Sequence, residues 1–338
     1  MKIEENISLK PFNTFGIEAK ARYFAEVKSD AEILDLIKND IFRFGKIQIL
    51  NGGSNTLFTS DFDGLVVKIA TQGISLNKED ESHVYLQAKA GVNWHEFVTF
   101  CIENNYGGLE NLSLIPGNVG AAPIQNIGAY GVEQKDCFFA LDAIEISAGQ
   151  IRTFTNQACR FEYRNSIFKQ EFKGKFIILS VTYRLDKHPK FNTTYGAITT
   201  EIERMVVKNL SLKAIGDAVC SIRRSKLPDP EKIGNAGSFF KNPLVSKETY
   251  QQLLHDFPGI IAFPANDDNF KLAAGWLIEN LCWKGFRRGD AGVCETQALV
   301  LVNYGKAKGS EILLLATEIK DSVKHRFGVD LEMEVNII

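Results

Sequence analysis

The sequence predicts a fold of mixed α and β layers, and three observations carry that prediction. Short runs rich in β-branched and aromatic residues alternate with stretches of helical spacing through the first half, RYFAEV before AEILDLIKN being the earliest pair. The 338 residues are 45% hydrophobic and 24% charged, which is ordinary globular composition on a chain long enough for about two or three domains. A breaker, Leu227-Pro228-Asp229-Pro230, then separates this half from a second group of helices and strands. We place one domain boundary near residue 205.

Taken in order, KIQIL, LVVKIA and HVYLQAKA read as strands and NWHEFVTFCIEN, residues 93–104, as a helix. From Gly107 to Gly131 the chain holds six glycines with Pro116 and Pro123 and little periodicity of either kind. A loop of that length inside a domain is usually functional. FFALDAIEI and FIILSVTYRL restore the strand pattern, and a helix spans about Ser211 to Arg224. Beyond the breaker, KETYQQLLHDF and LAAGWLIENL read as helices, QALVLVNY as a strand, Ser310 to Phe327 as a helix and LEMEVNII as a last strand.

Lysine and arginine number 39 against 41 acids, a formal charge of −2, so the bulk electrostatics favour neither nucleic acid nor an anionic membrane. No apolar run approaches the roughly 20 residues of a spanning helix. The N-terminus shows no basic region followed by an apolar stretch, so a cytoplasmic location is expected. The six cysteines (Cys101, Cys137, Cys159, Cys220, Cys282 and Cys294) lack metal-ligand spacing and are expected as buried thiols; no metal is expected. His95 and His325 fall on predicted helices without a partner at i+4, which argues against a catalytic or metal role.

Five segments offer chemistry. LNGGSNTLF, residues 50–58, brings a strand into a glycine pair followed by Ser54, Asn55 and Thr56, a pattern suited to an anion such as phosphate and equally to an ordinary turn. It is neither a Rossmann fingerprint nor a Walker loop. IPGNVGAAPIQNIGAYG, residues 115–131, keeps small side chains over many positions, so that an extended ligand can lie against the main chain, and Gln125 and Asn126 add amides able to read a heterocycle edge. Together these two segments suggest a nucleotide-type cofactor with a pyrophosphate; a structural Ω-loop is the alternative for the second.

FEYRNSIFK holds Tyr163 and Arg164 among aromatics, where a guanidinium can grip a carboxylate in bidentate fashion or simply form a surface ion pair. RRSKLPDP and GNAGSFFKNP bring Arg223, Lys226 and Ser238. Ser238 has neither a nucleophile-elbow context nor a histidine base, so a hydrolase triad is disfavoured; a hydroxyl beside cations can instead donate a proton, or cap a turn. In LEMEVNII, Glu332 and Glu334 share one strand face, a solvated acidic edge being the plainer reading.

Six motifs in this order, NGGSN, PGNVGAAPIQNIGAYG, FEYRNS, KLPDP with NAGSFFKNP, KLAAGWLIE and LEMEV, make the chain from about Phe12 onward resemble the UDP-N-acetylenolpyruvoylglucosamine reductase (MurB) family. The resemblance implies an α+β architecture: a vanillyl-alcohol-oxidase (PCMH)-type FAD-binding domain of two α/β subdomains, 1–70 (joined by the C-terminal strand 329–338) and 71–205, and an α/β substrate-binding domain, 206–328. It implies non-covalent FAD, NADPH as reductant, a UDP-sugar as substrate, and a monomer without nucleic-acid or membrane partners. The reaction implied is reduction of the enolpyruvyl ether to the lactyl ether, giving UDP-N-acetylmuramate for peptidoglycan.

By motif position, the resemblance assigns FAD to Asn51, Gly52, Gly53, Ser54, Asn55 and Thr56, to Gly117, Asn118, Val119, Gly120, Ala121 and Ala122, to Gln125, Asn126, Gly128 and Ala129, and to Arg223. It makes Arg164, Ser238 and Glu334 catalytic, and Tyr163, Tyr195, Lys226, Asn242, Lys284 and Gln297 the substrate shell. FNTTYGAI around Tyr195 resembles the loop of the subtype that closes a tyrosine over substrate. Asn118, Ala121-Ala122 and Phe263 depart from the residues common at those positions. The rivals are an FAD-dependent oxidase on the same scaffold and a non-catalytic UDP-sugar-binding protein.

Overall fold

The run FIILSVTYRL is apolar almost throughout because it is the middle strand of a five-stranded sheet covered on both faces. In the computed structural model, which describes residues 1–266 and 268–338 with Asn266 by main chain only, the strand is Phe176–Asp186. The sheet order is Ile151–Thr155, Phe138–Glu145, Phe176–Asp186, His83–Lys89, Ile74–Glu79, every pair antiparallel. A four-stranded sheet, ordered Ile3–Ser8, Lys20–Val27, Phe62–Ile69, Lys46–Leu50, pairs its last two strands in parallel, with Ile47 opposite Leu65 and Ile49 opposite Val67.

Two helices cap this first core. Asp30–Lys38 starts at Ser29, whose side chain accepts from the Glu32 amide, and buries Ile33 and Leu36; Trp94–Glu103 starts at Asn93 and buries Trp94, Phe97, Val98 and Cys101. The strands Ile3–Ser8, Ile74–Glu79 and Ile151–Thr155 escape the sequence reading for one reason. They are sheet edges in which only Phe154 is buried, and so carry almost no apolar alternation.

The chain forms two compact units, Met1–Ile7 with Ala21–Gly53 and Asp63–Ser225, and Ser8–Lys20 with Ser54–Phe62 and Lys226–Ile338. The helix Leu212–Lys226 lies, but for its last residue, in the first unit, although the boundary near 205 assigns it to the second. Its Ile215, Val219 and Ile222 pack with Ile198 of the helix Gly196–Arg204 and against Tyr130, which ties it there.

In the second unit a sheet runs Gly234–Ser238, Val300–Asn303, Ala291–Val293, Arg287–Arg288, backed by the helix Gly309–Phe327. A smaller sheet, Leu244–Ser246, Asn269–Leu272, Ala262–Asn266, carries the helix Lys247–Asp256. The predicted helix LAAGWLIENL shrinks to Ala274–Asn280, since Leu272 ends a strand. LEMEVNII is not one strand either: Met333 bridges antiparallel to Phe240, and Asn336–Ile337 then pairs in parallel with Thr56–Leu57. Changing partners mid-way interrupts the ladder.

Candidate active site

In the first unit the two glycine segments meet. A Cβ on Gly52 would stand 2.8 Å from the Gly117 Cα and 2.9 Å from the Asn118 Oδ1, so only glycine allows this approach. The loop is strapped down by main-chain bonds: the Val119 amide donates to Val92 O at 2.9 Å, the Gly120 amide to Ala90 O at 2.9 Å, and the Trp94 amide to Gly117 O at 3.0 Å. Asn118 donates through Nδ2 to Gly91 O at 2.7 Å, and Lys68 Nζ donates to Asn51 O.

The side-chain oxygens of Asn51 and Asn118 are buried there and find no hydrogen-bond partner among the described residues. Buried acceptors without donors are rare, and they fit a ligand that brings its own N–H and O–H groups, as the ring imide and ribityl hydroxyls of a flavin do. A side-chain-poor cradle with unmet acceptors therefore suits FAD.

Arg164 lies in the same unit. Glu162 and Asn165 exchange main-chain bonds of 3.1 and 3.3 Å, making Tyr163-Arg164 the tip of a tight turn in which Arg164 has φ +53°. Two bonds fix that turn to the glycine loop: Asn126 Nδ2 donates to Glu162 O at 3.0 Å, and Ser166 Oγ to Ile124 O at 2.6 Å. The guanidinium then donates from Nη2 to Gly128 O at 2.7 Å and lies 5.5 Å from the Tyr163 ring centre.

Asn126 is wholly buried, and its amide also donates to Glu133 Oε2 while its oxygen accepts from Gln134 Nε2 and the Lys135 amide. The sequence reading gave this side chain a heterocycle edge to read. Every polar atom of it is used inside the fold, so it positions the loop and the Arg164 turn instead. Thr56 likewise is buried, within the strand pair to Asn336–Ile337.

Tyr195, exposed just before the helix Gly196–Arg204, meets the Tyr130 ring edge to face at 5.4 Å. Arg223 donates from Nε to Leu114 O at 3.1 Å. Burial pushes the Arg223 pKa down, with the hydrogen-bonded Tyr130 hydroxyl opposing, and burial pushes that hydroxyl up. A buried guanidinium of this kind is a strong site for an anionic group.

The second unit brings Ser238 and Glu334 onto neighbouring segments. The Phe239 amide donates to Leu299 O at 2.8 Å, the Glu334 amide donates to Phe239 O at 2.8 Å, and the Lys241 amide donates to Glu332 O at 2.9 Å. Ser238 is opposite Val300, after a bulge at Asn235 to Ser238 in which Gly237 takes φ +69°. The bulge turns the serine out of the regular alternation, as bulges beside active sites do. Asn55 holds the acid's segment, its Nδ2 donating to Glu334 O at 3.2 Å and its O accepting from the Asn336 amide at 3.0 Å. Glu332 pairs instead with Lys241 at an exposed position, so the two acids have different surroundings.

Of the expected substrate shell, Asn242 and Gln297 converge on the first turn of Ala274–Asn280: Asn242 Oδ1 accepts from the Ala274 amide at 3.0 Å, and a Cβ on Gly275 would stand 3.4 Å from Gln297 Oε1. Lys284 pairs with Glu279 at 2.8 Å, and Lys226 is exposed, its carbonyl accepting from Thr296 Oγ1. Tyr163, Arg164, Tyr195 and Arg223 belong to the first unit, and Lys226, Ser238, Asn242, Lys284, Gln297 and Glu334 to the second.

Sequence reasoning missed three residues of this neighbourhood: Asn111, fully buried, which donates to Tyr130 O and Asn192 O; Tyr130 itself; and His95, whose ring accepts from the Leu114 amide. Only the first had a signal, an asparagine inside an apolar stretch. The expectation of buried thiols fails for Cys282, which is exposed at φ +61°, while Cys101, Cys159, Cys220 and Cys294 are buried. Among the described residues no helix is long and apolar enough to cross a membrane.

Two family models match the chain: an FAD binding domain over residues 21–155 and the C-terminal domain of UDP-N-acetylenolpyruvoylglucosamine reductase over residues 229–338. A UDP-N-acetylenolpyruvoylglucosamine reductase of Flavobacterium johnsoniae is 50% identical over 339 residues, covering all of both chains, and one of Amoebophilus asiaticus is 51% identical over 338 residues, again covering all of both. Among solved structures, the UDP-N-acetylenolpyruvylglucosamine reductase of Thermus caldophilus superposes with a TM-score of 0.69 at 22% identity, covering 100% of this chain and 99% of that one, which shows a shared fold.

Proposed function

Because the chain belongs to the UDP-N-acetylenolpyruvoylglucosamine reductase family, we propose that it reduces UDP-N-acetylglucosamine enolpyruvate to UDP-N-acetylmuramate, a step of peptidoglycan precursor synthesis. Asn51 to Gly53, Gly117 to Gly120 and Arg223 would hold FAD. Bound FAD, reduced by NADPH, supplies the two electrons of the reaction.

The remaining work falls to the protein's own side chains. Reduction of the enolpyruvyl double bond at its methylene carbon leaves negative charge on the carbon beside the carboxylate. Arg164, oriented by Gly128 O and by the turn that Asn126 anchors, supplies the cation for that charge, and Glu334, in its protonated form, donates a hydrogen bond to it. Ser238 delivers the proton to the carbon. Lys226 and Lys284 serve as diphosphate counter-ions, Tyr163, Asn242 and Gln297 hold the substrate, Gln125 reaches toward the reacting end, and Tyr195 closes over it in the manner of the tyrosine-loop subtype. The three-part division with boundaries near 70 and 205, a monomeric state and a cytoplasmic setting belong to the same reading; light scattering and cell fractionation test the last two.

The observation that carries the reading is the pairing of residues 239–241 with 332–334, which sets Ser238 and Glu334 on adjacent segments outside the FAD-binding match. An oxidase on the same scaffold has no use for that pair. The test is the visible spectrum of the purified protein, taken anaerobically with NADPH and then with the enolpyruvyl UDP-sugar. Flavin bands that bleach and then return support the proposal. Bands that NADPH leaves unbleached favour the oxidase, and a protein that takes up no FAD favours a binding module.

A further inference from the structure

Leu114 adopts φ +59°, a left-handed conformation that is unfavourable for a leucine, at the entrance to the loop that continues through Pro116 and Gly117. Two contacts hold it. Its amide donates to His95 Nδ1 at 3.0 Å, and its carbonyl accepts from Arg223 Nε at 3.1 Å. A backbone N–H can only donate, so His95 accepts at Nδ1 and must be unprotonated there. Just before His95, Trp94 and the N-cap residue Asn93 also tie to this loop, through Gly117 O and the bridge to Asn118.

We propose that His95 is a positioning residue for the cofactor: as a neutral imidazole it pins the Leu114 turn, and through that turn it sets both Arg223 and the Gly117 to Gly120 cradle. The inference rests on the reading of that cradle as the FAD site. Protonation at Nδ1 would put two donors face to face and release the turn, so cofactor retention should weaken in acid. The charged groups bearing on His95 are Arg223 and Arg224, from the helix Leu212–Lys226, and Glu96 of its own helix. Burial, then Arg224 and Arg223, hold its pKa below the ordinary value, with Glu96 opposing, which keeps the ring neutral at physiological pH.

The experiment compares the parent with His95→Asn and His95→Ala. Asparagine offers an acceptor oxygen near the position of Nδ1 but does not titrate. FAD affinity of the apoprotein is read by flavin fluorescence from pH 5 to 8, and Leu114 amide exchange by NMR in the same samples. Expected are roughly tenfold weaker FAD binding and faster Leu114 exchange in His95→Ala at every pH, an acid-side loss of affinity in the parent, and parent-like neutral affinity without that acid loss in His95→Asn. Parent-like affinity and exchange in His95→Ala overturn the proposal, as does an acid loss in His95→Asn equal to the parent's. If His95→Ala does not fold, the pH profiles of the other two decide. If the parent takes up no FAD at any pH, the cofactor reading fails instead, and Leu114 exchange still judges the hydrogen bond.

Discussion

Replacing Gly52 by alanine tests the cradle most directly. The added methyl would lie 2.8 Å from the Gly117 Cα, 2.9 Å from the Asn118 Oδ1 and 3.3 Å from the Gly117 carbonyl carbon. A carbon–carbon contact normally sits near 3.5–4.0 Å, so one of the two segments must move by about half an ångström or more. Asn118 cannot simply swing aside, since Nδ2 is held by Gly91 O, and Gly117 cannot retreat without stretching its bond from the Trp94 amide. Overpacking of a tight contact costs about 1–3 kcal/mol. If that strain is relieved by opening the cradle, FAD affinity falls roughly 5- to 150-fold, since each 1.4 kcal/mol is a factor of ten. Titration of apoprotein with FAD, followed by flavin fluorescence, measures it, and a melting curve without FAD separates the cradle from global stability. Gly52→Ala that binds FAD as tightly as the parent would show that the Gly52–Gly117 approach has no part in holding the cofactor.

Four further outcomes are expected. Ser238→Ala should leave flavin reduction by NADPH near parental while slowing reoxidation by the enolpyruvyl substrate about 10²–10³-fold in stopped flow; an unchanged reoxidation rate removes Ser238 as proton donor. Arg164→Lys should lose most of the same half-reaction, because an ammonium lacks the planar fork that reaches Gly128 O and a carboxylate together, and near-parental turnover would contradict that. Iodoacetamide at neutral pH should label Cys282 first, as the exposed thiol, whereas burial lifts Cys137 and Cys159 to about 12 and keeps them unreactive; peptide mapping decides. Since the native His95 pKa lies below its ordinary 6.5, the unfolded chain takes that proton more readily, so the stability owed to neutral His95 is complete above about pH 6.5 and is lost as pH falls toward the native value. Melting temperatures of the parent and His95→Asn, compared from pH 7.5 down to 5, should diverge in that direction.

The helices and central strands were legible because their burial imposes a period: Trp94, Phe97, Val98 and Cys101 fall on one helix face, and the apolar run of Phe176–Asp186 reflects cover on both sides. Edges were not legible. ISLNKE buries almost nothing, so its pairing with His83–Lys89 is decided by main-chain bonds that leave no mark on residue choice. The last segment failed for a related reason, since LEMEVNII reads as one strand while its two halves serve different partners.

The candidate site was legible as motifs and not as wiring. Glycines at 52 and 117 announce that a backbone comes close to something; that each comes close to the other is a matter of tertiary structure. The polar residues show the same limit from the opposite side. Asn126 sits in a glycine-rich motif and offers an amide, yet a buried amide must be satisfied, and four partners inside the fold satisfy it. Asn51 and Asn118 sit in equivalent motifs with their buried oxygens unmet. Composition cannot tell these asparagines apart. What separates a residue that binds a ligand from one that shapes the loop is whether the fold has already used its hydrogen-bonding capacity. By that criterion the unmet oxygens of Asn51 and Asn118 point to the ligand, while Asn126, and His95 with its single acceptor given to Leu114, belong to the frame around it.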